Sequence, residues 1–475
     1  MSSSQKKLPS RVHIIGICGV ATSALAIALH KRGVAVTGSD KGFYPPVSTG
    51  LEEQGVPFYA GWHPENMIAH GTPDIVIAGG IGTSLSNPEI IYATEHRIPL
   101  ISFAEALARF VIKDESIVVT GTWGKTTISA LLSYILIGAG LDPSYFSGGL
   151  SLSHDTGAVT DSRWSVVEGD EYQISISDRR PKFVVYKPKY LLLTSVSWDH
   201  ADLYPTEEKY FTAFKKMVEE IPVDGSIISC ADNDGAVKLL GSTTLKDTQK
   251  IISYGKFADA DYRYDSVQPS KNGLRFSIYH NGATHDVSSP MFGRFNAENI
   301  TAAFSMAHSI GIAPEKILES IQKFKGIKRR FEKRLEKDVT IFDCHAPTAE
   351  KAASVLASIR EVYDKKIYAV YEPNIGGRQH ASAGAYDNAF KDADMIIIPR
   401  LTKLKITENG SDQPMEGDEL AATISRTHPQ VKSIADDTEV VDLLASNTKK
   451  DDCIVFLGSH GFRGMIEATV EKLKK

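Results

Sequence analysis

Short apolar runs that hand over to helical patterns recur along this chain, and that alternation constrains its fold more than any other feature. The first is VHIIGICGVATSALAIALHKRG, from Val12 to Gly33. Its apolar run ends at Gly16 and Gly19, and a helical stretch follows and stops at Gly33, a glycine suited to a helix C-cap. A second strand pattern, VAVTGSD, ends at Asp40, and PDIVIAGG and IPLIS follow. Strands alternating with helices form a parallel, doubly wound sheet, so the fold class is α/β. A second region begins near Lys113. SIVVT reads as a buried strand, and Thr126 to Ala139 as a helix with Ile128, Leu131, Leu132, Ile135 and Leu136 on one face. WSVVEGDE and YLLLTSVSWDH read as further strands. A third region follows GIKRRFE, with strand patterns VTIFDCHAP, KKIYAVYEP, ADMIIIP and DCIVFLG, a second open α/β sheet. The expected domains are 1–112, 113–326 and 327–475. His280, His285 and the SYGKFADADYRYDS stretch read as a β-rich excursion of structural character.

The length, 475 residues, accommodates three domains of ordinary size. Apolar residues make up 42% and charged residues 23%, with a formal charge of -5 and both signs interspersed. That balance excludes wholesale binding of nucleic acid or of an anionic membrane. The four cysteines (Cys18, Cys230, Cys344, Cys453) are widely separated, which argues against a disulfide framework or a zinc site and fits a reducing cytoplasm. MSSSQKKLPS leads straight into a strand without the apolar segment of a signal peptide, and no apolar run is long enough to span a bilayer. Oligomeric state leaves no mark on the sequence.

The stretch Thr120 to Thr127 (TGTWGKTT) lies between strand and helix, the setting that a phosphate-binding loop requires. Gly121 and Gly124 let backbone N–H groups turn toward phosphates, around Thr122 and Trp123, and the helix N-terminus adds partial positive charge. Lys125 has the reach for the β- and γ-phosphates, and Thr126 carries the hydroxyl for Mg²⁺. The strict pattern has glycine where this chain has Val119. ATP is therefore the expected nucleotide. Glu168 ends the apolar run WSVVEGDE, where a metal-binding acid belongs, and Asp170 and Glu171 follow; a solvated turn is the plain alternative. Asp199-His200-Ala201-Asp202 is expected to end the next strand, which puts His200 at the sheet edge where open α/β folds bind ligands and makes it a candidate for a second Mg²⁺. Gly16 and Gly19 serve either a ligand or close strand–helix packing. They do not form the G-x-G-x-x-G of dinucleotide enzymes, which speaks against an oxidoreductase.

These residues, with HIIGICGVA, VTGSD, YPPVSTGLEEQG, VEGDEY, DRRPKFVVY, WDHADLY, GRFNAENITAA, RRFE, VYEP and GSHGFRGM, resemble the Mur ligases over nearly the whole chain. Within that family YPPxST, DxRxKF and the late GFxG point to the murein peptide ligase branch. The resemblance implies a Rossmann-like domain for a UDP sugar, a central ATPase domain and a C-terminal Rossmann-like domain that presents an amine. It implies an ATP- and Mg²⁺-dependent amide ligase of peptidoglycan recycling that joins UDP-N-acetylmuramate to the L-alanyl-γ-D-glutamyl-meso-diaminopimelate tripeptide through an acyl phosphate. The alternatives are a UDP-N-acetylmuramate–L-alanine ligase and a non-catalytic nucleotide-binding homologue. By resemblance, Lys125 and Thr126 hold ATP and the first Mg²⁺, which Glu168 shares, and His200 binds the second. Asn296 and Asn299 lie near the adenine, and Arg330 faces the nucleotide. Gly16, Gly19, Ser39, Asp40 and Asn87 belong to the UDP-sugar site, and Asp343 and His345 to the ligation end.

Several positions depart from the family pattern. Trp123 stands where histidine is usual, and Ser195 where asparagine is usual in N-x-x-x-D-H. Asp343-Cys344-His345-Ala346-Pro347 is shorter than D-x-x-H-H-P and lacks one histidine. Gly458-Ser459-His460-Gly461 replaces S-N-G-G, which makes His460 a candidate substitute for the missing ring. The lysine that some members carbamylate has no match; Lys215 is offset.

Overall fold

The computed structural model describes residues 7–474 except 44, 46, 80–83, 176, 201–202, 245, 247–248 and 403–413. Part of the YPPVST motif and Ala201 and Asp202 of the second acidic motif thus lie outside the described residues. The chain divides into two compact units. One runs to Val267 and takes in Phe276–Ser289 and Ala297–Lys325; the other comprises Gln268–Arg275, Pro290–Asn296 and Gly326–Lys475.

The first unit opens with a five-stranded parallel sheet in the order Phe58–Ala60, Ala35–Asp40, Arg11–Ile15, Ile75–Ala78, Leu100–Ser102. The chain builds outward from Arg11–Ile15 in one direction and then in the other. Gly16 and Gly79 therefore leave adjacent strands at the point where the winding reverses, the usual ligand crevice of such sheets. The helix Val20–His30 buries Ala24, Leu25, Ala28 and Leu29 and ends before Gly33, which takes a positive φ of 81° as a helix stop requires.

A ten-stranded sheet follows, in the order Ala283–Ser289, Gly273–His280, Tyr262–Ser270, Lys250–Gly255, Ser226–Cys230, Tyr190–Leu193, Glu115–Thr120, Trp164–Gly169, Ser144–Phe146, Gly157–Ala158. Pairing is parallel from Tyr262–Ser270 through Ser144–Phe146. Glu115–Thr120 is buried along its whole length, as its unbroken apolar run demands. The helix Lys125–Gly138 is covered on nearly every side, so Ser129 and Ser133 return their hydroxyls to carbonyls of their own helix. The two sheets of this unit share one core, in which Leu25, Leu29, Phe103 and Leu107 join Phe146, Val167 and Leu193.

One expectation fails here. The apolar stretch through His200 leaves the sheet after Leu193, because beyond the Thr194 N–H, which still meets Thr120 O, Ser195 and Ser197 turn their hydrogen bonds to Thr122 and Trp123 of the loop instead of to a neighbouring strand. A hydrophobicity pattern cannot distinguish a strand from an apolar segment bonded to a loop.

The second unit holds a six-stranded sheet in the order Glu332–Glu336, Thr340–Cys344, Cys453–Gly458, Ile367–Glu372, Met395–Pro399, Val431–Ile434. Only the first pair is antiparallel. The last strand in sequence, Cys453–Gly458, inserts between the second and third, which brings Cys344, Gly458 and Glu372 to one edge. Among the described residues, no helix is long and apolar enough to cross a membrane.

Candidate active site

The segment Thr120–Lys125 connects a buried strand to a helix that has no side-chain cap. Gly121 has φ 129°, and a Cβ there would lie 2.2 Å from Thr194 Oγ1 and 2.7 Å from the Ser195 backbone. No other residue fits. Gly124 has φ 84° and backs onto the Asn299 amide, whose oxygen would lie 2.6 Å from an added Cβ. The loop is gripped from outside. The Thr122 N–H donates to Ser195 O at 2.9 Å, and the Trp123 N–H to Ser195 Oγ at 3.1 Å. Thr194 Oγ1 donates to Trp123 O at 2.6 Å. Thr122 Oγ1 donates to Ser197 O at 2.9 Å. Ser195, the unusual residue, thus serves as a local brace, and the Trp123 indole is left 60% exposed.

Lys125 folds back on its own loop. Its Nζ donates to Gly121 O at 2.5 Å and lies 3.1 and 2.9 Å from the two carboxylate oxygens of Glu171. Glu171 is 2% exposed, and its Oε1 also lies 3.5 Å from His200 Nε2. That carboxylate is the first cause that raises the His200 pKa, ahead of the opposing effect of burial. His200 has a positive φ of 56° and sits edge-on to Tyr172, with ring centroids 5.0 Å apart. Lys125, Glu171 and His200 form one network, and Glu171 is the member that sequence reasoning passed over. Its signal was present in EGDE, where it was read only as one acid among three.

Glu168, at the end of Trp164–Gly169, receives the Thr126 hydroxyl at 3.1 Å and the Gly148 N–H at 2.6 Å. Thr126 and Glu168 offer hard oxygen ligands at a helix N-terminus, which fits Mg²⁺ completed by phosphate oxygens and water. Among the described residues no group of three His, Cys, Asp or Glu side chains makes a metal cage on its own. Asp170 pairs with Lys182 at 2.6 Å. Burial pushes the Asp170 carboxyl up, but the Lys182 ammonium and the Tyr172 N–H outweigh it and hold the pKa below the ordinary value. Lys182 comes from the DRRPKF motif, anchored by the buried Phe183 that follows it.

A cavity of about 420 Å³ joins these groups to the first sheet. Gly16, Gly19, Thr22 and Gly79 line one side, Glu168, Asp170 and Lys182 the other, and Phe103, Phe146 and Tyr186 the apolar walls. Of the residues expected at the UDP-sugar site, Gly16 and Gly19 are thus in the lining. Asp40 braces the strand ends, accepting the Cys18 N–H at 2.9 Å and the Lys41 N–H at 2.7 Å. Ser39 is fully buried, with its hydroxyl on Glu89 at 2.5 Å, and Asn87 caps the helix Pro88–Glu95 through the Glu89 N–H at 2.8 Å. Asn299 lies behind Gly124, while Asn296 bonds Phe292 O at 2.7 Å and, with Arg330, Asp343 and His345, belongs to the second unit.

In the second unit Asp343 is 3% exposed and faces Arg329 at 3.3 Å and Arg334 at 3.6 Å. Arg329 also donates to the carbonyls of Gly458, Ser459 and His460, at 2.9, 2.9 and 2.8 Å. His345 and His460 follow adjacent strands. His345 keeps a face open to solvent, yet the protein packed around it, and then Arg329, Lys351, Arg330 and His460, hold its pKa down to about 4. It is therefore a neutral base at pH 7. Arg463 of the GFRG motif bridges Glu372 at 3.1 Å and Asp437 at 2.9 Å.

The chain matches the Mur ligase family, catalytic domain, over residues 11–114, the Mur ligase middle domain over 119–307 and the Mur ligase, glutamate ligase domain, over 329–460. It is 30% identical to a UDP-N-acetylmuramate–L-alanine ligase of Bradyrhizobium sp. (strain BTAi1), covering 98% of this chain and 97% of that protein. It is 33% identical to one of Arthrobacter sp. (strain FB24), over 82% and 80%. The fold matches a UDP-N-acetylmuramate-alanine ligase of Thermotoga maritima, with a TM-score of 0.78 at 22% identity over 98% and 99% of the two chains. A murein peptide ligase of Psychrobacter arcticus gives 0.68 at 25% identity, over 98% of each chain.

These relatives overturn the murein tripeptide as the expected acceptor, since the near-full-length curated ones carry the alanine-ligase name. The structure explains why the branch motifs misled. Lys182 of DRRPKF lines a cavity of the first unit and pairs with Asp170, and Arg463 of GFRG is held in ion pairs with Glu372 and Asp437. The matches to all three domain families and the near-full-length relatives establish that the chain belongs to the Mur ligase family, the ATP-dependent enzymes that form C–N bonds in peptidoglycan synthesis.

Proposed function

We propose that this chain is a UDP-N-acetylmuramate–L-alanine ligase acting in the cytoplasm. The observation that carries the reading is the cavity that runs from the glycine edge of the first sheet to Glu168 and Lys182, beside the phosphate loop. It suits a sugar nucleotide whose carboxylate must lie next to ATP. The alanine-ligase relatives supply the acceptor. The cysteines are all free thiols, as a reducing compartment allows.

In this reading, residues 1–112 hold the UDP sugar, 113–326 the nucleotide and 327–475 the amine. The helix N-terminus that begins at Lys125 faces the phosphates, held there by the glycine turn around Thr122 and Trp123, and Lys125 neutralises the charge that moves during transfer. Thr126 and Glu168 would hold one Mg²⁺ and His200 a second, supplying further neutralisation. Lys182 steadies the substrate carboxylate, which attacks the γ-phosphorus; ADP leaves and an acyl phosphate results. The alanine amine adds to the acyl carbon, losing a proton, and phosphate departs as the amide forms. His345, held neutral, and Asp343 are the second-unit residues that the family resemblance assigns to the ligation end. Asn299 supports the loop from behind, and Asn296 and Arg330 are the second-unit residues that the family resemblance assigns to the nucleotide. Gly16 and Gly19 approach the UDP pyrophosphate, and Ser39, Asp40 and Asn87 hold the strand ends and helix that shape its site.

The test is phosphate release with UDP-N-acetylmuramate, ATP and Mg²⁺ over a panel of amino acids. L-Alanine should stimulate release above glycine and L-serine. If no amine does, and Lys125→Ala leaves the background unchanged, the chain is a non-catalytic homologue.

A further inference from the structure

We propose that Glu171 is a positioning residue that holds Lys125 as an internal counter-ion until nucleotide and divalent cation arrive together. The proposal rests on the ATP-binding reading of the loop. The Lys125 ammonium lies within 3.1 Å of both Glu171 oxygens and 2.5 Å from Gly121 O, so it points into its own loop. Glu171 is buried, and the Tyr204 hydroxyl locks its backbone through its carbonyl at 2.6 Å. The carboxylate cannot follow the lysine outward.

Glu171 and a nucleotide phosphate therefore compete for one ammonium. When Lys125 swings to phosphate, a buried carboxylate is left that, among the described residues, has the His200 ring 3.5 Å from Oε1 and no second ammonium or guanidinium in an ion pair with it. An uncompensated buried charge is costly, and the incoming phosphates add negative charge to the same region. Bare nucleotide is thus penalised, and a cation bound with it removes the penalty. Glu171 makes nucleotide affinity depend on the metal through Lys125, by the reciprocity that any coupling between two sites obeys. Glu168, which meets Thr126 rather than Lys125, has no part in this exchange.

The experiment is calorimetric titration of ADP and ATP, with Mg²⁺ and in EDTA, into wild type, Glu171→Gln, Lys125→Met and the double variant, with a melting curve for each. Glu171→Gln should tighten binding in EDTA by about fivefold or more and shrink the gain from Mg²⁺. In the Lys125→Met background, where only the direct repulsion between carboxylate and phosphate is left, the same change should have a clearly smaller effect. Glu171→Asp, with its charge drawn back, should tighten binding in EDTA by a smaller factor; it serves as the reading if Glu171→Gln fails to fold. The proposal is overturned if a folded Glu171→Gln or Glu171→Asp binds no more tightly than wild type in EDTA, or if the effect is undiminished without Lys125. A wild type that binds nucleotide under neither condition refutes the ATP-site reading itself.

Discussion

The phosphate loop of the first unit and the Asp343–His345 turn of the second are built alike and behave differently. Each follows the C-terminal end of a buried parallel strand, and each sets a buried carboxylate against a cation. In the loop the cation is a lysine that meets its acid and carbonyls of its own loop. In the turn it is an arginine that bonds Asp343 and three successive carbonyls from Gly458 to His460. Lysine is a point charge on a flexible stem, free to exchange one partner for another, whereas a guanidinium spread over four acceptors is a staple. A buried ion pair is therefore not by itself a mark of chemistry. What distinguishes the two is how much backbone the cation has to leave behind.

The contrast is tested most sharply at Lys125. Lys125→Ala should lower kcat/KM for ATP on the order of 10³-fold, measured by phosphate release, because the moving charge loses its main neutralising group. The mirror experiment is Arg329→Ala. It should cost about 2 kcal/mol in denaturant unfolding of the full chain, by leaving Asp343 with Arg334 alone and removing the donor to three carbonyls, while nucleotide affinity stays unchanged. If the two phenotypes were exchanged, the staple and the mobile cation would have been assigned the wrong way round.

Next in size is a pH effect that belongs to neither pair. His154 packs among Tyr134, Tyr145 and Phe324, and burial lowers its pKa to about 4. The unfolded chain takes up the proton near pH 6.5 and the folded chain near 4, so stability falls as pH drops through that window. His154→Phe should flatten the melting temperature between pH 6.5 and 4, recovering on the order of 2 kcal/mol at the acid end. The smallest effect is expected at the loop rim. Among the described residues Trp123 hydrogen-bonds through its backbone and its indole is 60% exposed, so Trp123→His should change the KM for ATP by no more than about threefold. A larger change would give the indole a role in holding the nucleotide.

Much of this was legible in the sequence because it is local. A buried strand, two glycines and a helix start fix the phosphate loop within a few residues, and the terminal Glu168 follows from the same alternation. The rest depends on pairings across long separations. Nothing in SVSWDH announces that the apolar run leaves its sheet to brace another loop, and the EGDE cluster does not say which acid meets Lys125. Ser39 and Asn87 lie in the expected region, but which groups their side chains satisfy is decided by the buried Glu89, a residue the pattern ranks as surface. The acceptor went wrong for the same reason. Motifs that mark a branch of a family were read as marks of its amine substrate, although Lys182 of one lines the first unit's cavity and Arg463 of another sits in ion pairs with Glu372 and Asp437.

The brace between Ser195 and the Trp123 backbone links positions 72 apart in the chain. Every residue but proline carries that backbone N–H, so the brace rests on the side chain at 195 and not on the one at 123. Position 123 is therefore open to exchange by an engineer, whereas position 195 must keep a side chain that accepts a hydrogen bond if the loop is to stay gripped.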